Sequence, residues 1–239
     1  MPVTELAYLP LLASSSSALG GGEQGCPSPA FIAAAREILR IQADWCAENP
    51  TGSSLKPADG AGLFVQVDDP LSLLLTAHWD SPEHHGQWIR SQANRDALGL
   101  LAPHLEMSRL AMFHVDGVEA FTGPETVAAT AGEKATLSAD YVSVSKFVLA
   151  AGKKADFEGA WNKVGPIFQE FVSPYVHRGG WRIEKQDGRE DKEEFVLIGG
   201  WDSLEKAAEL AKSKGYAEYG ETLKTVTSER DTKLYRRIL

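Results

Sequence analysis

Apolar and polar residues change period several times along the chain, and each change marks an element. Residues 3–11 and 141–150 are short, mostly apolar runs of strand length. After each comes a stretch whose apolar residues return every three or four positions: Phe31, Ala34, Ile38, Ile41 and Trp45 in one, Phe157, Trp161, Val164, Phe168 and Phe171 in the other. That spacing predicts two helices, each burying one face. Short strands are then predicted at 62–67 and 180–186, each followed by a longer apolar strand, a helix and a last strand, at 109–115 and 233–239.

The longer strands carry an internal repeat. Leu73-Leu74-Leu75-Thr76-Ala77-His78-Trp79-Asp80-Ser81-Pro82-Glu83 aligns without a gap on Phe195-Val196-Leu197-Ile198-Gly199-Gly200-Trp201-Asp202-Ser203-Leu204-Glu205, an offset of 122 residues, or half the chain. In both copies an apolar run meets Trp-Asp-Ser. The serine sits where a helix N-cap is needed, Pro82 suits the first helical position, and Glu83 or Glu205 complements the positive helix end.

The element order is therefore βαββαβ, twice. The expected fold class is α+β, with two tandem ferredoxin-like βαββαβ repeats forming an intramolecular α+β barrel. A four-stranded antiparallel sheet with both helices on one face leaves its other face apolar, and a second copy covers it. The first repeat is expected at 1–117, a linker rich in Gly, Ala, Thr and Glu at 118–139, and the second repeat at 140–239; residues 14–29 read as a Ser/Gly-rich insertion.

Composition narrows the partners. The net charge of −9 argues against nucleic acid, which calls for a basic face. Residues 1–125 hold 6 Lys and Arg against 15 Asp and Glu, while residues 126–239 hold 18 of each, so the halves have diverged. Apolar runs are too short for a membrane span, and the apolar stretch near the N-terminus lacks the basic start of an export signal. Two cysteines, Cys26 and Cys46, make no disulfide framework and read as structural thiols; a cytoplasmic location is expected.

The strand–Trp-Asp-Ser-x-Glu–helix junction and the doubled architecture resemble the dimeric α+β barrel superfamily, which includes antibiotic-biosynthesis monooxygenases, EthD-like proteins, stress-responsive barrel proteins and small polyketide cyclases. The resemblance covers nearly the whole chain and implies a fused, tandem-repeat member. Members of the superfamily are cofactor-independent oxygenases, cyclases, isomerases, haem proteins and proteins with no known reaction, so the resemblance implies no single reaction. The His-Pro-x-His motif of the plant-type cyclases is absent here.

Five of the six histidines lie in the first half. His78, at the end of the matched strand, is the candidate general base, because imidazole exchanges a proton near neutral pH; the plainer alternative is a solvated histidine at a strand edge. His84 and His85 open a helix, where a solvated role is expected, with His85 also a candidate ligand contact. Their adjacency splays them about 100° apart, which argues against a metal pair. Trp88 and Tyr8 stand where the other repeat has Leu210 and Lys146, and are candidates to shape a ligand pocket. His114 shares a strand face with Leu110 and Met112 and is a further candidate contact. Trp79 and Trp201, present in both repeats, read as core. His177 reads as a loop residue.

No phosphate loop, nucleophile elbow or nucleotide fingerprint is present, so no cofactor is expected. The expected function is a cofactor-independent enzyme acting on an apolar aromatic or polyketide-like substrate by oxygenation or cyclisation, in secondary metabolism. The alternatives are a non-catalytic ligand-binding or stress-response barrel, told apart by whether the pocket is filled, and a haem protein using His177. The expected partner is a small apolar molecule. A monomer is expected, since the chain carries its own pseudo-dimer partner, with a homodimer left open. The site is expected in the first half, between its sheet and its helices.

Overall fold

The computed structural model describes residues 1–17, 26–51, 61–117, 132–186 and 188–239. In chain order the elements are β1 (Val3–Pro10), β2 (Ser16–Ser17), β3 (Cys26–Pro27), α1 (Pro29–Glu48), β4 (Gly62–Gln66), β5 (Ser72–Trp79), α2 (Pro82–Arg90), α3 (Gln92–Leu101) and β6 (Ala111–Asp116). They continue as β7 (Tyr141–Ala150), α4 (Lys154–Val172), β8 (Arg178–Trp181), β9 (Lys192–Trp201), α5 (Leu204–Leu210), α6 (Lys214–Lys224) and β10 (Glu229–Arg237). The α+β class and the doubled βαββαβ order are those the sequence predicts. Within 118–139, residues 118–131 lie outside the described residues, as do 18–25 of the insertion, whose ends pair as β2 and β3.

Two compact units form, Met1–His114 with Tyr235–Leu239, and Val115–Leu234. In the first, the strand order is β6-β1-β5-β4, and the last residues of β10 pair antiparallel with β4. In the second, the start of β10 is followed by β7, β9 and β8. Register is set at the tryptophans: Val3 lies opposite Trp79 and Tyr141 opposite Trp201. Glu5 therefore corresponds to Ser143, and Tyr8 to Lys146.

Alternation sorts the first sheet into two faces. Val3, Ala7, Leu9, Leu73, Ala77 and Trp79 join the helix-side core with Phe31, Ala35 and Ile38. Leu6, Phe64 and Leu74, on the opposite face, are fully buried as well.

Four expectations need correction. Each helix predicted after Trp-Asp-Ser is two helices, because a second serine caps a second start: Ser91 Oγ accepts from Asn94 N at 3.0 Å and Ser213 Oγ from Tyr216 N at 3.1 Å. These serines are again 122 residues apart. The strand expected at 180–186 lies earlier, at Arg178–Trp181, where Gly179 leaves room for the Phe195 ring; a Cβ there would stand 2.5 Å from it. The last strands run over Ala111–Asp116 and Glu229–Arg237, the latter beginning four residues earlier than expected. In α1 the buried stripe is turned by one position, to Phe31, Ala35, Ile38, Gln42 and Cys46.

Candidate functional site

The candidate site lies where β1, β5, α2 and β6 meet on the helix side of the first unit. Ser81 Oγ accepts from His84 N at 3.2 Å and Pro82 takes the first helical position, so α2 starts immediately after β5 and turns His84 and His85 inward. Both are buried, which corrects the solvated role expected of a helix start. Capping fixes the helix direction, and that direction sends its first turn over Trp79. The His85 ring stacks on the Trp79 indole, centroids 4.3 Å apart, and the His84 ring stacks on Trp45 at 5.4 Å.

His85 stands between two partners. Its Nδ1 lies 2.7 Å from His114 Nε2, and its Nε2 lies 3.5 Å from Glu5 Oε2. The Trp79 indole N–H donates to that same Glu5 oxygen at 2.7 Å. Trp79, Glu5, His85 and His114 are 1%, 6%, 3% and 3% exposed, so this polar line is enclosed. A carboxylate in such surroundings is tolerated only with donors aimed at it, and the indole and imidazole supply them. One tautomer satisfies the whole line: His114 Nε2–H donates to His85 Nδ1, and His85 Nε2–H points to Glu5.

Glu5 and His85 form part of the wall of a cavity of about 220 Å3 between the sheet and helices α1, α2 and α3. Of its sixteen lining residues only Glu5, Gln42, His85 and Asn94 are polar. Trp88, Leu110 and Met112 line it too, and His114 reaches it through His85. The volume falls below the 300–1,000 Å3 usual for ligand sites, so the space suits a small molecule.

The expected site residues therefore separate. His85, Trp88 and His114 come together on the helix side. His78 and Tyr8 do not join them: they share the opposite face of the sheet, where Thr4 lies opposite His78 and Tyr8 opposite Leu74. His78 is 3% exposed on β5, which lies between β1 and β4, so it is neither a solvated edge residue nor a reach into the helix-side cavity. Its Nε2 lies 3.9 Å from Asp80 Oδ1. Tyr8 packs its ring toward Phe113, centroids 6.1 Å apart. Strand alternation makes the separation unavoidable, since His78 is one residue from both Ala77 and Trp79. Glu5 was not singled out from the sequence because a lone acid in a strand carries no motif, and Gln42 because it interrupts the apolar stripe.

The second unit holds a cavity of about 280 Å3 at the corresponding place, lined among others by Ser143, Phe168, Ala207, Leu210 and Tyr216. There Trp201 Nε1–H donates to Ser143 Oγ at 2.9 Å. The indole bond recurs, while the carboxylate and imidazole are replaced by Ser143 and Ala207. Elsewhere, His177 lies in the loop before β8, its Nδ1 2.7 Å from Gln169 Oε1 and its ring edge-on to Trp161 and Phe168. Burial pulls its pKa down to about 4. Burial likewise pushes the Cys46 thiol up to about 12. Among the described residues no group of three or more His, Cys, Asp or Glu is placed to hold a metal ion, and no helix is long and apolar enough to cross a membrane.

No protein-family model matches the chain, and no curated protein is significantly similar to it in sequence. Solved structures do resemble it over its full length. An anthrone oxidase-like protein is 13% identical, with 100% of this chain and 92% of that chain covered, at a TM-score of 0.57. A proposed monooxygenase from Fusobacterium nucleatum is 7% identical over 100% and 93% of the two chains, also at 0.57. A proposed monooxygenase from Lactobacillus acidophilus is 11% identical over 99% and 93%, at 0.52. At these identities the likeness is one of fold.

Proposed function

For a chain with the fold of the dimeric α+β barrel superfamily, as a tandem-repeat member, we propose an enzyme that deprotonates an activated CH2 of a small apolar aromatic ketone in the first-unit cavity and so readies it for reaction with dioxygen. The observation that carries this reading is the Trp79–Glu5–His85–His114 line opening onto a mostly apolar cavity. The names of the structural neighbours, monooxygenases and an anthrone oxidase-like protein, support the same reaction class by analogy of fold.

The chemistry asks little of the protein beyond handling a proton. The Glu5 carboxylate takes a proton from an activated CH2 of the ligand, with the Trp79 and His85 N–H groups holding the carboxylate in place. The resulting carbanion, conjugated with the ketone, gives one electron to dioxygen. Recombination of the two radicals forms a C–O bond, and return of the proton gives a hydroperoxide. Loss of water from the hydroperoxide leaves a carbonyl: CH2 and O2 become C=O and H2O. The ligand supplies the electrons, so on this reading no cofactor takes part. His114 fixes the tautomer of His85, and the apolar wall, Trp88 included, holds the ring system.

Oxygen uptake with anthrone as probe tests the proposal. The protein should accelerate consumption of dioxygen and formation of anthraquinone over the buffer rate, and Glu5→Gln should lower that acceleration by about a hundredfold. No acceleration, or full activity in Glu5→Gln, would refute it. An open cavity beside Trp88 weighs against the filled, non-catalytic barrel as an alternative. The haem alternative gains nothing from His177, whose ring is held by Gln169, Trp161 and Phe168 and lines neither cavity.

A further inference from the structure

Gln42 stands in the buried stripe of α1, one helical turn beyond Ile38, and is 6% exposed. It lines the first-unit cavity, and among the described residues its side-chain amide makes no hydrogen bond. An amide on a cavity wall that no protein group engages is available to a polar group of whatever occupies the cavity. The fold itself does not ask for an amide there. Placed by its buried faces, α1 aligns with α4 so that Phe31, Ile38, Gln42 and Cys46 match Phe157, Val164, Phe168 and Val172. The second repeat thus fills the same position with a phenyl ring. Asn94, the other amide on the cavity wall, has its Nδ2 committed to Ile89 O at 3.1 Å and aligns with Tyr216. Gln42 is the amide with both ends available.

We infer that Gln42 is a specificity-determining residue of this cavity, whose amide hydrogen-bonds a carbonyl or hydroxyl oxygen on an otherwise apolar fused-ring ligand. The inference rests on the proposed function in taking the cavity as the ligand site, and adds the residue that recognises the ligand's oxygen. Hydrocarbons of the same shape leave the amide unpartnered and are discriminated against, in the way a site built to bond an oxygen rejects the analogue lacking it.

The test compares 1-tetralone with tetralin, which share a skeleton and differ in one carbonyl. Binding is followed by tryptophan fluorescence for the wild-type chain and for Gln42→Leu and Gln42→Met, the second being nearly isosteric. The wild-type protein should prefer 1-tetralone by about tenfold, and both variants should lose that preference while binding tetralin at least as well. Both variants should stay folded, with melting temperatures within a few degrees of wild type, since neither change alters a hydrogen bond within the protein. A preference that survives in both variants would overturn the role of Gln42 and leave the cavity reading standing. Failure of both probes to bind the wild-type protein would overturn the cavity reading, and this inference with it.

Discussion

The indole of Trp79 donates to Oε2 of Glu5 at 2.7 Å, in the place where Trp201 donates to the hydroxyl of Ser143 in the other repeat. One structural bond, anchoring the tryptophan at the end of the matched strand, is made once with a carboxylate and once with a hydroxyl. The fold is satisfied by either. Transplanting the second arrangement into the first, as Glu5→Ser, is therefore expected to leave the chain folded, with a melting temperature within a few degrees of wild type. Oxygen uptake with anthrone should fall by about a hundredfold, because the proton acceptor is gone. Circular dichroism and an oxygen electrode measure both outcomes.

His85 and His78 should part ways under mutation. His85→Ala removes the imidazole between Glu5 and His114 and is expected to lower turnover by roughly a hundredfold. His78→Ala acts on the other face of the sheet, where it leaves a buried hole. It should cost about 1–3 kcal/mol of stability while turnover stays within about threefold of wild type. Urea melts and steady-state rates on the two variants separate these effects, and a reversal would return the catalytic role to His78.

The paired caps give a prediction about the fold alone. Ser91→Ala and Ser213→Ala each remove the side chain that accepts from the N–H of the third residue of α3 and α6, and each should cost about 1 kcal/mol. Equal losses in chemical denaturation would confirm that the two serines do the same work.

Those serines also show what the sequence made legible. Trp79-Asp80-Ser81 and Trp201-Asp202-Ser203 revealed the repeat because strand, cap and helix start sit side by side in the chain. The second caps were equally readable at the same offset, yet the apolar pattern runs through them and hides the break. The site was harder to see. Location in the first half could be argued from asymmetry, since His85, Trp88 and His114 have no counterparts the fold requires. Which of them meet could not, because His78 and Ala77 are neighbours in sequence and face opposite sides of the sheet. Glu5, 80 residues before His85, joins it only through the pairing of β1 with β5 and the turn of α2.

Acid should weaken the second unit through His177. Its native pKa of about 4 lies below the ordinary 6.5, so between those values the unfolded chain binds a proton that the folded chain refuses. The stability it secures is present above pH 6.5 and is lost progressively as the pH falls towards 4. The loss should amount to up to about 3 kcal/mol. In His177→Gln the fall in melting temperature between pH 7 and pH 5 should be visibly smaller than in wild type.

Proton abstraction at Glu5 is the central claim, and it can be observed without oxygen chemistry. Anthrone is incubated under argon in deuterated buffer, and loss of its methylene proton signal is followed by NMR. Wild-type protein and His78→Ala should accelerate deuterium uptake over buffer, while Glu5→Gln and His85→Ala should fall back by about a hundredfold towards the buffer rate. Uptake no faster than in buffer with the wild-type protein, or undiminished in Glu5→Gln, would contradict the claim.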